Sequence, residues 1–340
     1  MIKHLGRQLL VLLCSLVFAT ATFADEKRSY ILATASTGGT FYPVGVAIST
    51  LAKVKLEPAK YYGKMTLSAI TSGGSGENVK LLRDEEAQFA ILQGLYGRWA
   101  AQGEGKLAEA GKQEYLRSVT MLWQNVEHMV VKSEYAKTGT VSDLKALAEE
   151  GKKFGIGKKN SGTRGSGEEI MANLGIDFSK FDYFHSGYGG TSDALINGQI
   201  DGMNIPAGPP VSAITKAYST LGDKMAVLNF TDEQLAEVNK SGELWTRYVI
   251  AADTYPNQSQ DINTIAQPNF LATHADVDAE DVYQLTKALY ENLPFLNSIH
   301  KATKVMALEQ AIVGLPVPLH PGALKYYEEQ GITVPDALKP

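Results

Sequence analysis

The feature that most constrains this chain is a pattern met four times: a short apolar run, a turn of glycines and hydroxyl residues, then a helix. First, Tyr30-Ile-Leu-Ala33 leads through Thr37-Gly38-Gly39-Thr40 into Val44–Leu51, and Pro43 suits a first helical turn, where its missing N–H is no loss. Second, Met65–Ile70 leads through Thr71-Ser-Gly-Gly-Ser75-Gly-Glu-Asn78 into a helix from Val79, followed by the apolar run Phe89–Gln93. Third, Phe154–Gly157 precedes a polar stretch from Lys158 to Gly167 and a helix from Glu168 to Gly175. Fourth, Phe181–Phe184 precedes the turn Ser186–Ser192, the helix Asp193–Ile196 and the run Ile200–Ile205.

Strand, loop, helix and strand in succession are the grammar of a parallel sheet. Two such turns in each half predict two similar α/β lobes. Leu116 to Val131 and Trp245 to Ala252 are extended and apolar, and are expected to cross between lobes and act as the hinge. The expectation is a two-lobed α/β fold of mixed central sheets flanked by helices. Lobe one takes 25–127 plus 245–340, and lobe two takes 128–244.

Lys3 and Arg7 stand before the apolar run Leu9–Phe18, and Thr22-Phe-Ala24 supplies small residues for cleavage. Residues 1–24 are therefore expected to be a secretory signal peptide cut after Ala24, with Ala21 the alternative. The run is shorter than the roughly 20 residues that span a bilayer. The only cysteine, Cys14, lies inside it, and Leu13 before it does not suit a lipoprotein site. The mature chain would then hold no disulfide and no thiolate metal site. Removing Lys3 and Arg7 takes the formal net charge from −5 to −7. Such an acidic balance speaks against nucleic acid or anionic lipid as partner.

Catalytic patterns are near misses. Ser75 in Gly73-Gly-Ser-Gly-Glu77 is one position from a nucleophile elbow. Gly155-Ile-Gly157 lacks the third glycine of a dinucleotide loop, since residue 160 is Asn. No His-Glu-x-x-His occurs, and His128, His185, His274, His300 and His320 are scattered, so neither metal nor cofactor is expected. A secreted hydrolase using Ser75 or Ser161 stays open as the alternative from another class, and a ligand-binding sensory protein as a third.

Binding accounts for more residues. Gly39 and Thr40, then Thr71, Ser72 and Ser75, then Ser161, Gly162 and Thr163 all fall where a strand's carboxyl end meets a helix's amino end, the edge at which open α/β sheets hold ligands. Hydroxyls and free amides there suit carboxylates. Tyr42 and Tyr188 would wall the cleft, and Gln93 and Asn204, ending equivalent strands, would read a polar substituent. Each Ser or Thr taken singly is a helix cap. Only their convergence makes a site.

The ordered set Gly38-Gly39-Thr40-Phe-Tyr42-Pro43-x-Gly45, Thr71-Ser-Gly-Gly-Ser75-Gly-Glu77-Asn78, Gly157 to Thr163, Gly198-Gln-Ile-Asp201-Gly202 and Leu319-His320-Pro-Gly-Ala323 resembles the TAXI-type solute receptors of TRAP transporters. The resemblance implies a type II periplasmic binding protein fold that closes on its ligand and delivers it to sodium-driven membrane permease subunits. It implies a small carboxylate as ligand, such as glutamate or a five-carbon dicarboxylate like 2-oxoglutarate. Carried over, the contacts are Gly39, Thr40, Tyr42, Thr71 to Ser75, Gln93, Ser161, Gly162 and Thr163, with Asn204 to Gly208, Ala207 included, closing the second lobe's side. Other TRAP receptors use a late arginine that TAXI-type receptors lack. Arg164 is either its substitute or a solvated helix-start residue.

Overall fold

The computed structural model describes residues 27–56 and 65–340; the expected signal peptide lies outside them. Eleven strands follow in chain order among these residues: β1 Ser29–Ala33, β2 Thr66–Ile70, β3 Phe89–Gln93, β4 Leu116–Val126, β5 Met129–Lys132, β6 Lys153–Gly155, β7 Asp182–Phe184, β8 Gly202–Asn204, β9 Met225–Val227, β10 Thr246–Ile250 and β11 Ile262–His274. The first seven α-helices among these residues are α1 Phe41–Lys55, α2 Ser75–Arg83, α3 Gly94–Gln102, α4 Asp143–Glu149, α5 Gly162–Asn173, α6 Tyr188–Ile196 and α7 Ser212–Leu221.

The strands form two sheets of the same plan. In the first, β2, β1 and β3 run parallel, and antiparallel β11 separates them from β4. In the second, β7, β6 and β8 run parallel, and antiparallel β5 separates them from β9. This is the mixed, doubled α/β architecture that the four turns imply. β3, with every residue buried, is the central strand of the first sheet. α1 packs on that sheet through Val44, Ala47, Ile48 and Leu51, apolar at the three- and four-residue spacing that puts them on one helix face.

Only Glu127 and His128 separate β4 in the first sheet from β5 in the second. The way back lies in β11. Its first residues pair with β10, and its Asn269–Thr273 pair with β3. Ile250, Tyr255, Ile262 and Ala266 pack into a cluster with Val130 and Met203 of the second sheet and Ile214 of α7, whereas Phe270, Leu271 and Ala272 join the core of the first. The stretch 245–252, expected to carry the chain back, supplies β10 and runs alongside. Pro268 hides the longer strand in the sequence, because proline is tolerated inside a sheet only where the ladder is irregular, and a register shift falls between Pro268 and Phe270.

Three helices begin earlier than their sequence suggests. α2 starts at Ser75 rather than Val79, α5 at Gly162 rather than Glu168, and α6 at Tyr188 rather than Asp193. Their first turns are built of glycine and hydroxyl residues, poor helix formers that composition assigns to loops. Among the described residues, no helix is long and apolar enough to cross a membrane.

Candidate ligand-binding cleft

The early starts bring four helix N-termini to one place. α1 and α2 come from the first sheet, α5 and α6 from the second, and residues at the start of all four line a single cavity. It is narrow, about 30 Å³. Each helix start carries N–H groups without partners in its own helix and about half a positive charge. The only ionised side chain among the lining residues is that of Lys158. The cavity thus gathers positive potential.

The helix starts face one another in two pairs. Where α2 meets α5, a Cβ on Gly162 would lie 2.5 Å from Gln93 Oε1 and 2.9 Å from Ser75 Oγ. Where α1 meets α6, a Cβ on Gly38 would lie 2.9 Å from the Gly189 nitrogen. Hydrogen bonds cross between the halves at both ends. At the α1 end, Thr40 Oγ1 donates to the Gly208 carbonyl (2.9 Å) and Ser212 Oγ to the Gly38 carbonyl (2.9 Å). At the α2 end, Glu77 N donates to the Asn160 carbonyl (3.0 Å), Lys158 Nζ to Ser72 O (3.1 Å) and Tyr96 OH to Ser161 O (3.2 Å). Lys106 and Glu168 add a cross-cleft ion pair. The two halves are closed on each other.

Of the residues singled out in the sequence, Gly39, Thr40, Ser75, Gln93, Ser161, Gly162, Thr163, Tyr188 and Ala207 line this cavity. Tyr188 is held in place, its hydroxyl donating to the Pro206 carbonyl (2.7 Å) and bonded to Thr163 Oγ1 (2.9 Å). Burial pushes its phenol far above the usual range, so it stays neutral. Gln93 Oε1 is buried and has no partner.

The other five do not line it. Tyr42 gives way to its neighbour Phe41, because the helix already turns at Phe41 and rotates the next side chain about 100° away. Thr71 is exposed. Ser72 is occupied internally, its one proton lying between the Thr34 carbonyl (2.9 Å) and Asn78 Oδ1 (2.6 Å) and its oxygen accepting from Gly74 N (2.9 Å). Asn204 turns toward Glu127, and Gly208 offers its carbonyl to Thr40. Arg164 does not line the cavity either; its Nε pairs with Glu168 Oε1 at 2.7 Å. Ser36, Lys158 and Ser186 do line it and were not singled out, as does Pro206, which lies within the expected stretch Asn204 to Gly208. The turns that hold the first three were legible, but which of their side chains faces inward is decided by the helix starts.

Ser75 Oγ accepts from Gln93 N (3.1 Å) and Ser161 Oγ caps α5 by accepting from Arg164 N (3.1 Å). Among the described residues, neither serine is hydrogen-bonded to a histidine. Behind the cavity, His128 Nδ1 faces the carbonyls of Val126 (2.9 Å) and Ile205 (3.0 Å), so it carries the proton, and Nε2 accepts from Tyr255 OH (2.8 Å). Burial drives this imidazole down to about 4. The adjoining Glu127 is driven up to about 7 by burial, against hydrogen-bonding side chains that favour its charge.

Two sheets of like topology, joined by long strands and meeting at helix starts around a cavity lined by glycine and hydroxyl residues, make the fold of periplasmic binding proteins. Solved structures share this fold. MatC from Rhodopseudomonas palustris with bound malate is similar at TM-score 0.53 and 15% identity, over 89% of this chain and 97% of that one. The periplasmic binding protein BugD is similar at TM-score 0.52 and 13% identity, over 91% and 95%. A structure described as a periplasmic transporter gives TM-score 0.53 and 11% identity, over 90% and 95%. Residues 32–331 match the NMT1-like family, and the chain belongs to it.

Proposed function

We propose that the protein is the periplasmic solute receptor of a TRAP transporter of TAXI type, capturing a small dicarboxylate or glutamate by lobe closure and handing it to sodium-driven membrane permease subunits. The observation that carries this reading is the two opposed pairs of helix starts. Like partial charges brought face to face repel, and an anion between them turns that repulsion into attraction. Two pairs at two ends of one cavity suit a ligand with a carboxylate at each end. Hydrogen bonds to a charged acceptor contribute about 1.5–3 kcal/mol each. A ligand touching both halves binds the closed form better, and that difference is how the ligand shifts the lobes. The ligand-binding residues in this reading are those that line the cavity, with Lys158 added.

The export signal over residues 1–24 and a periplasmic site of action belong to the same proposal. So does the division into lobes, 25–127 plus 245–340 against 128–244. The ordered motifs from Gly38 to Ala323 support the TAXI assignment. Thermal shift of the mature protein against a panel tests it: 2-oxoglutarate, glutarate or glutamate raises the transition temperature, while sugars and divalent cations do not. A panel in which no acid stabilises the protein would sink the carboxylate assignment.

A further inference from the structure

At the crossing between the sheets sits a carboxyl group that ligand capture, as described, does not use. Glu127 follows β4, precedes β5 and is fully buried. Its backbone is fixed to β11: its N–H donates to the Ile265 carbonyl (2.9 Å) and its carbonyl accepts from Thr264 Oγ1 (2.7 Å). Its side chain accepts from Asn204 Nδ2 (2.9 Å). Ser166, Gln267 and Trp245 also turn polar atoms toward it and favour its charged form. Yet Ser166 Oγ, Gln267 Nε2, Trp245 Nε1, Asn204 Oδ1 and Glu127 Oε1 are all buried without a partner in hydrogen-bond geometry.

The composition of this pocket says what it can exchange. Gln267 is oriented by Leu95, whose N–H donates to its Oε1 (2.8 Å), so it offers N–H groups inward, and Trp245 has only an N–H to offer. Donors of that kind repel a metal cation. They accommodate a carboxylate, and a serine hydroxyl such as that of Ser166 can also accept from the O–H of the acid. No lysine or arginine is among the groups that act most on Glu127. The titratable neighbours are His128, neutral and turned to Tyr255, and Tyr188, a neutral phenol on the cavity wall that feels the Glu127 charge. Ser166 lies on α5 one turn after Thr163, so one helix touches both the cavity and this pocket.

We propose that Glu127 is a proton switch at the hinge, ionised while the lobes stand apart and water reaches the crossing through the cleft, and taking up one proton from solvent as they close over it. It rests on the closing-receptor reading for the motion, but not on which ligand binds. In the closed form the carboxyl titrates at about 7, and when hydrated near its ordinary 4.5. The closed form therefore binds more protons in between. Closure gains as pH falls from about 7 toward 4.5, and above about 7 the dependence levels off.

Ligand-free protein decides this. With glutamate δ-carboxyls labelled by carbon-13, one resonance is expected to titrate well above the rest in the wild type and to vanish in Glu127→Gln. Small-angle scattering is expected to give a smaller radius of gyration near pH 5 than near pH 8 in the wild type, and one compact radius at both in Glu127→Gln. Should that variant misfold, Ser166→Ala serves instead: it removes a donor, and the resonance is expected to move to higher pH. With any acid that stabilises the protein in the panel above, affinity is expected to be at least about threefold tighter near pH 5.5 than near pH 8, a shift of only half a unit in proton linkage. All glutamates titrating together near their ordinary value, or the same pH response in Glu127→Gln, would overturn the proposal. If no acid of the panel binds, the ligand reading fails and the ligand-free titration still decides this one.

Discussion

Thr40 Oγ1 lies 2.9 Å from the carbonyl oxygen of Gly208 and donates to it across the cleft. Thr40 is the residue that enters α1, and Gly208 follows the strand that ends at Asn204. The bond exists only while the halves are together, so it acts on closure rather than on the folding of either half. Thr40→Val keeps the shape, leaves the Gly208 carbonyl without its donor and weakens the closed form by about 1–3 kcal/mol. Ligand affinity is expected to fall by about five- to 150-fold, with the thermal transition of the ligand-free protein nearly unchanged; calorimetric titration beside a melt separates the two.

Gly38 and Gly189 make a matched pair. A Cβ on Gly38 would meet the Gly189 nitrogen at 2.9 Å and Tyr188 Cβ at 3.3 Å, whereas a Cβ on Gly189 meets nothing within 4 Å. Gly38→Ala is expected to prop the lobes apart and to weaken ligand binding at least tenfold, the effect of about 1.4 kcal/mol of overpacking. Gly189→Ala is expected to bind as the wild type does. Affinities of the two variants side by side check this.

How much of this was legible depends on what glycine means. The strands β1, β2 and β3 and the doubled plan follow from apolar runs between turns, because period and punctuation are local properties. The helix starts at Ser75, Gly162 and Tyr188 were hidden. Residues such as Gly162 are there so that one helix start can approach another, and no local rule distinguishes that glycine from one in a loop. Tyr42 and Phe41 exchanged places for the same reason: which side chain faces the cavity is fixed by the first helical residue. Ser72 carries the right chemistry, but Asn78 and the Thr34 carbonyl, one turn and one strand away, claim its hydroxyl. Lys158 sat inside a turn read for its hydroxyls and glycines.

Lys158 is exposed at the cavity and is the one side-chain cation among the residues that line it. Solvent screens it, so Lys158→Met is expected to lower affinity for an acid by no more than about fivefold, about 1 kcal/mol. The variant is also expected to flatten the dependence of affinity on salt. Titrations at low and high ionic strength read both effects.

His128 is buried neutral, its imidazole depressed to about 4 from an ordinary 6.5. A base with a lowered folded value binds fewer protons folded than unfolded. Its contribution to stability is therefore whole above about 6.5 and is lost as pH falls toward about 4. Glu127, raised to about 7, works the other way as pH falls from about 7 to 4.5, so the His128 effect is read as the difference in melting temperature between the wild type and a variant that cannot titrate at position 128. His128→Gln, which cannot titrate, is expected to melt lower near neutrality but to lose less on acidification.

The central claim is that paired helix starts hold the ends of a small acid, and backbone amide chemical shifts during titration with 2-oxoglutarate and with glutamate test it most directly. The largest changes are expected at Gly39 to Phe41, Ser75, Gly162, Thr163 and Tyr188, which line the cavity from both halves. Titrations in which neither acid moves those amides, or in which the largest changes fall elsewhere on the protein, would contradict it.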